Sequence, residues 1–195
     1  EERDKNLQAK RDIIKQAQDL RESHDWDKTA NSLKDLQRRW KDIGPVPEKM
    51  REKIFQEFKD ACDFFFEQRR TQFEKVEGEQ EVNLQQKDAL CQELETMTSS
   101  GTGTQEQLQS IVERYNAIGF VPKKAINDSR NRFNEAVNKF ITQLGGVSEE
   151  QKERMQLEVQ LGNLKNDPQG ERKLYQREQV IWKRISKIEN DIATL

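Results

Sequence analysis

Residues 33–65 read LKDLQRRWKDIGPVPEKMREKIFQEFKDACDFF, and residues 108–140 read LQSIVERYNAIGFVPKKAINDSRNRFNEAVNKF. Shifted by 75 positions, Leu33, Arg39, Ile43, Gly44, Val46, Pro47, Lys49, Phe58, Ala61 and Phe65 recur as Leu108, Arg114, Ile118, Gly119, Val121, Pro122, Lys124, Phe133, Ala136 and Phe140, and Trp40 becomes Tyr115. Self-similarity at a fixed period marks a repeat architecture. Ahead of each block, Asn6, Leu7, Gln8 and Lys10 recur as Asn83, Leu84, Gln85 and Lys87 at a shift of 77, which places the two-residue difference in the connector. One unit is therefore a leading helix, a connector, a short helix ending in Ile-Gly and a long helix beginning at Val-Pro.

The boundaries follow from backbone chemistry. Glycine tolerates the left-handed conformation that often ends a helix, so Gly44 and Gly119 are expected to adopt it. Proline needs no amide hydrogen and suits a first turn, so Pro47 and Pro122 start the next helix. Thr104 with Gln107, and Ser148 with Gln151, have capping-box spacing. Ser99-Ser100-Gly101-Thr102-Gly103 reads as a loop. Between Pro47 and Met97 only Gly78 opposes helix, at a cost of about 1 kcal/mol, and a single helix is expected there. Ile54, Phe58, Ala61 and Phe65 step by 4, 3 and 4 along one face of it. That stripe is expected to bury Trp40 of the short helix.

Composition agrees with helices packed along narrow seams. Hydrophobic residues make up 32% and charged residues 36% of the chain, against roughly 45–50% and 25% in an average globular domain. The 34 basic and 36 acidic residues nearly cancel, and the apolar positions are periodic, which is not the pattern of a disordered chain. No apolar run approaches the roughly 18 residues of a membrane span, and no leader is evident. Cys62 and Cys91 lack a CxxC spacing, so neither a disulfide framework nor a zinc site is indicated, and a cytoplasmic setting is expected.

After the second unit, a helix from Ser148 to about Lys165 turns through Asn166-Asp167-Pro168-Gln169-Gly170. It returns as a helix in which Ile181, Ile185, Ile188, Ile192 and Leu195 alternate by 4 and 3. The predicted fold is all-α: elongated tandem three-helix repeats that share long helices, followed by a C-terminal coiled-coil hairpin. The corresponding domains are 1–77, 78–145 and 146–195. With the heptad still running at Leu195 and the chain opening inside a charged helical stretch, it reads as a fragment of something longer.

The repeated motif consists of Trp40, Ile43, Gly44, Val46, Pro47 and Phe58, matched by Tyr115, Ile118, Gly119, Val121, Pro122 and Phe133. In this motif the chain resembles the bacterial domain-of-unknown-function 349 family, whose members carry tandem helical units with an aromatic residue before Ile-Gly and a Phe-rich helix after it. The resemblance covers about residues 1–145. Tyr115 departs from the tryptophan expected there, which puts in doubt any role of an indole in the second copy. The resemblance implies a fold and no activity.

Little catalytic equipment is legible. The single histidine, His24, lies in a connector beside Asp25 and Trp26 and reads as solvated. Cys62 and Cys91 read as small core residues. Gly101-Thr102-Gly103-Thr104 lacks the lysine of a phosphate-binding loop. The acids are interleaved with lysine and arginine as on a solvated face. The expectation is a protein that is not an enzyme and uses no cofactor or metal.

Two binding classes remain. Arg38, Arg39 and Lys41 flank Trp40, and Arg69 and Arg70 follow, as a stacking platform for RNA would require. Yet from Lys34 to Arg70 the sequence has ten basic and eight acidic residues, a balance that releases few counterions, and Arg38 corresponds to Glu113. Stacked helical repeats more often present surfaces to proteins. The leading expectation is thus a scaffold or adaptor for an unidentified protein partner, with RNA or ribosome association as the alternative and self-association through the tail also open. Arg38, Arg39, Lys41 and Arg114 are the candidate partner-binding residues. Because Arg39 and Arg114 are identical and Asp60 is matched by Glu135, ion pairs Arg39–Asp60 and Arg114–Glu135 across the helix interface are expected; without them both arginines would face outward.

Overall fold

The computed structural model describes residues 1–165, 167 and 170–194. Among these, α1 (Glu2–Leu20), α2 (Trp26–Asp42), α3 (Glu48–Ser100), α4 (Gln105–Ala117), α5 (Ile126–Gln143), α6 (Glu149–Lys165) and α7 (Gly170–Ala193) follow one another without a strand. A single 3-10 turn, Lys123–Ala125, precedes α5. The chain divides into two compact units, Glu1–Val76 and Glu77–Leu195. The division falls within α3, whose 53 residues remain helical through Gly78.

In the first unit the expected stripe of Ile54, Phe58, Ala61 and Phe65 is buried against Leu33 and Leu36 of α2 and Ile13, Ile14 and Ala17 of α1. The second unit repeats this core in register. Leu90, Cys91 and Leu94 of α3 stand where the first has Ile13, Ile14 and Ala17; Leu108 and Ile111 of α4, and Phe133, Ala136 and Phe140 of α5, complete it. Each fully buried Leu, Ile or Phe contributes roughly 1.5–3 kcal/mol. Few large residues on each of three faces therefore hold a unit whose remaining surface is charged.

Both capping boxes form. Thr104 Oγ1 accepts from Gln107 N at 3.3 Å while Gln107 Oε1 accepts from Thr104 N at 2.9 Å. Ser148 and Gln151 bond reciprocally at 3.2 and 3.0 Å. The loop expected at 99–103 starts two residues late, because α3 runs to Ser100. Gly101, with φ 64°, ends it, and the bonds Gly101 N to Thr98 O and Thr102 N to Met97 O form the paired closure of a left-handed helix end. The hydroxyls of Ser99 and Ser100 bond back to Glu95 O and Met97 O, which lets two serines remain helical.

Helix α6 has two apolar faces. Val159 and Met155 join the second core, whereas Leu157 meets Ile185 and Ile188 of α7, flanked by Ile181 and Ile192. Asn166, Pro168 and Gln169 of the expected turn, and Leu195 of the expected heptad, lie outside the described residues. No helix among the described residues is long and apolar enough to cross a membrane.

Candidate functional site at the repeated helix corner

The Ile-Gly-x-Val-Pro corner has the same construction in both units. Helix α2 ends with Ile43 extended at φ −76° and ψ 132°, and α4 with Ile118 at φ −73° and ψ 138°. Val46 and Val121 are buried beneath the corner. Pro47 and Pro122 accept the first bonds of the following turn, from Met50 N at 2.9 Å and Ala125 N at 2.8 Å.

The expected left-handed conformation of Gly44 and Gly119 is not adopted: positive φ occurs only at Gly101 and Gly146 among the described residues. These glycines are needed for space. Asn6 of the leading helix donates through Nδ2 to Pro45 O at 2.9 Å, and Asn83 donates to Phe120 O at 2.8 Å. A Cβ on Gly44 or Gly119 would meet that same Nδ2 at 2.9 Å. Asparagine, glycine and the free carbonyl thus form one device, which ties the leading helix to the corner and satisfies a carbonyl left without a helical partner.

Above the device sits the repeated aromatic. Trp40 stacks on Phe58, with centroids 4.5 Å apart and planes 8° from parallel. Lys10 Nζ lies 4.8 Å from the Trp40 centroid. In the second unit Tyr115 stacks on Phe133 at 3.6 Å and 7°, with Lys87 Nζ at 4.7 Å. A phenyl ring occupies one face, so the ammonium occupies the other, and each aromatic is sandwiched. Tyr115 is buried, but Trp40, for which burial was expected, is only partly buried. Burial lowers the pKa of Lys10, with Arg51 adding repulsion, and burial lowers that of Lys87. Burial also pushes the Tyr115 hydroxyl up to about 12 and the Cys91 thiol up to about 11. The Cys62 thiol is likewise raised by burial.

The four candidate binding cations do not act alike. Arg38 pairs with Asp35 on its own helix. Arg39 and Lys41 are exposed in the last turn of α2, where cations complement the helix dipole. Neither expected interface pair forms. Arg114 Nη2 instead reaches Glu93 Oε1 at 3.0 Å, Asp60 accepts from Gln56 one turn away, and Glu135 is exposed. The reason is registry: Asp60 and Glu135 immediately precede the buried Ala61 and Ala136, and a step of one residue, about 100° around a helix, turns them from the seam. Glu93 corresponds to Gln16 at the shift of 77, so the Arg114 pair is not a repeated feature. The sequence signal for the actual repeated device lay in Asn6, Lys10, Asn83 and Lys87, whose recurrence was visible but whose contacts across 28 to 39 residues were not.

His24 is exposed beside Trp26, 5.5 Å between ring centroids. Among the described residues no group of three His, Cys, Asp or Glu is placed to hold a metal ion.

The family model described as Domain of Unknown Function (DUF349) matches residues 1–49 and 53–124, more than half of the 195 residues. The chain belongs to the DUF349 family. No curated protein and no solved structure matches it. Both DUF349 segments close at equivalent residues, Lys49 and Lys124, just past the Val-Pro corner. Each matched segment therefore spans a leading helix, a short helix and the corner that follows it, and the helix leaving the first corner leads the second segment.

Proposed function

We propose that this DUF349 protein is a non-catalytic, cytoplasmic scaffold or adaptor that binds another protein and uses no cofactor. The observation that carries this reading is the outer face of α7. Tyr175, 73% exposed, and Trp182, 45% exposed, lie seven residues apart and so share a face. Ile181, Ile185 and Ile188 meanwhile turn toward α6. Tyrosine and tryptophan are the residues most enriched at interface hot spots. The RNA alternative is weakened at its main support: Phe58 and Lys10 cover the two faces of Trp40, so a base has no free face of that ring on which to stack.

The test is capture from native lysate with the parent chain and with Tyr175→Ser/Trp182→Ser, each with and without nuclease. The proposal expects partners that survive nuclease and are lost by the variant while its melting is unchanged. Partners lost to nuclease and kept by the variant would establish RNA association instead. Light scattering identifies self-association through the tail if a doubled mass falls to that of one chain in the variant.

A further inference from the structure

The corner of the second unit differs from the first in chemistry. The buried Ile54 is replaced by Ser129, Trp40 by Tyr115 and the exposed Phe55 by Arg130. Ser129 is 6% exposed, and its Oγ, beside the Tyr115 hydroxyl whose pKa it lowers, has no partner in full hydrogen-bond geometry. Asn163 of α6, 7% exposed, donates through Nδ2 to Asn134 Oδ1 at 2.6 Å, and its own Oδ1 is unpartnered. A buried isoleucine exchanged for serine loses apolar transfer energy and gains a hydroxyl to satisfy.

These groups surround a cavity of about 40 Å³ lined by Lys87, Tyr115, Ser129, Arg130, Asn163 and Asp167. One water needs roughly 10–15 Å³ on such a measure, so the space suits about three or four waters or one ion of a few heavy atoms. The charges are unbalanced. Arg130 Nη1 is paired with Asp167 Oδ2 at 2.7 Å, and the guanidinium also bonds Asn127 Oδ1 at 3.0 Å. Lys87 is 8% exposed, and its ammonium meets the Tyr115 ring, with no ion pair or hydrogen bond to it among the described residues. A buried charge calls for a counter-charge, and one monovalent anion would neutralise the lining.

We propose that the second unit binds a small monovalent anion at Lys87, Tyr115 and Ser129, a site absent from the first unit. In the first unit Lys10 faces Trp40, which offers no hydroxyl, and Ile54 stands where the second unit has Ser129. This inference is independent of the protein-binding reading. Burial alone lowers the Lys87 pKa, so an anion bound there would raise it again.

Amide NMR shifts of the 195-residue chain, titrated with sodium formate, bromide or sulfate at matched ionic strength, test it. Formate and bromide should move Tyr115, Ser129 and Asn163 along a saturating curve, while Trp40 and Ile54 show linear drift; sulfate, larger and divalent, should not saturate. Lys87→Met should abolish saturation. If that variant fails to fold, Tyr115→Trp/Ser129→Ile, which restores the chemistry of the first unit, should abolish it in a chain that melts no lower than the parent. Equal linear drift in both units, an adventitious ion only, overturns the proposal, as does saturation that survives either variant.

Discussion

The two corners share a skeleton and differ in what fills it. In both, an asparagine bonds the carbonyl after glycine, a lysine covers an aromatic and a phenylalanine stacks beneath it. In the first unit the aromatic is a partly buried indole; in the second it is a buried phenol beside a serine. The difference arises from α6, which brings Asn163 against the second corner. The repeat thus fixes the joint between helices, and the element packed over the joint decides how much of it meets water. Charged contacts are not held by the repeat: Arg132 grips Glu95 through two bonds in the second unit, where the first has Glu57 and Gln18.

The largest expected effect is truncation within the sandwiches. Phe133→Ala should cost about 3–5 kcal/mol, as for a fully buried aromatic, and Trp40→Ala roughly 2 kcal/mol, because part of the indole is already solvated. Denaturant melts measure both. A Trp40→Ala loss as large as that of Phe133→Ala would erase the distinction between a covered and an uncovered corner.

Alkaline pH should separate the units next. Cys91, ordinarily at 9.0, is pushed up to about 11, and Tyr115, ordinarily at 10.0, to about 12. Both pKa values are raised by folding, so their stabilisation is complete below the ordinary values and is lost as pH rises through the folded ones. Each shift corresponds to roughly 3 kcal/mol. Lys87, lowered by burial, acts in the opposite sense and offsets part of the loss as it deprotonates. Residue-resolved hydrogen exchange should show the second unit weakening first above about pH 9, with Cys91→Val removing the earlier part. Equal weakening of both units would contradict the burial assigned to Tyr115.

The corner device predicts coupling of about 1 kcal/mol. Gly44→Ala and Asn6→Ala should each destabilise, but the double variant should lose less than their sum, because Asn6 is what the new Cβ displaces; Gly119 and Asn83 should behave alike. Strict additivity in melting experiments would mean that the glycine serves some other purpose.

Smallest are the arginine pairs. A double-mutant cycle on Arg114 and Glu93 should give below about 1 kcal/mol, as for an exposed pair, and one on Arg39 and Asp60 almost none. Clear coupling in the latter would restore the interface pair that helix registry rejects.

Local chemistry along the chain specifies the helices, their order and the repeat. Ile54, Phe58, Ala61 and Phe65, the capping boxes and the Val-Pro starts depend on neighbours within a few residues, where period and capping chemistry decide the outcome. The sequence also held Asn6 and Asn83, but not the reason that two glycines follow Ile43 and Ile118, since that reason is a side chain 38 and 36 positions away from Gly44 and Gly119. Only the tertiary structure decided that Asp60 turns off the seam, that Lys10 and Lys87 cover the aromatics, and that Ser129, Asn163 and Lys87 surround one cavity. Those results depend on crossing angle and rotation between helices, and a few degrees there choose between a contact and a solvated side chain without altering the one-dimensional pattern that specifies the helices.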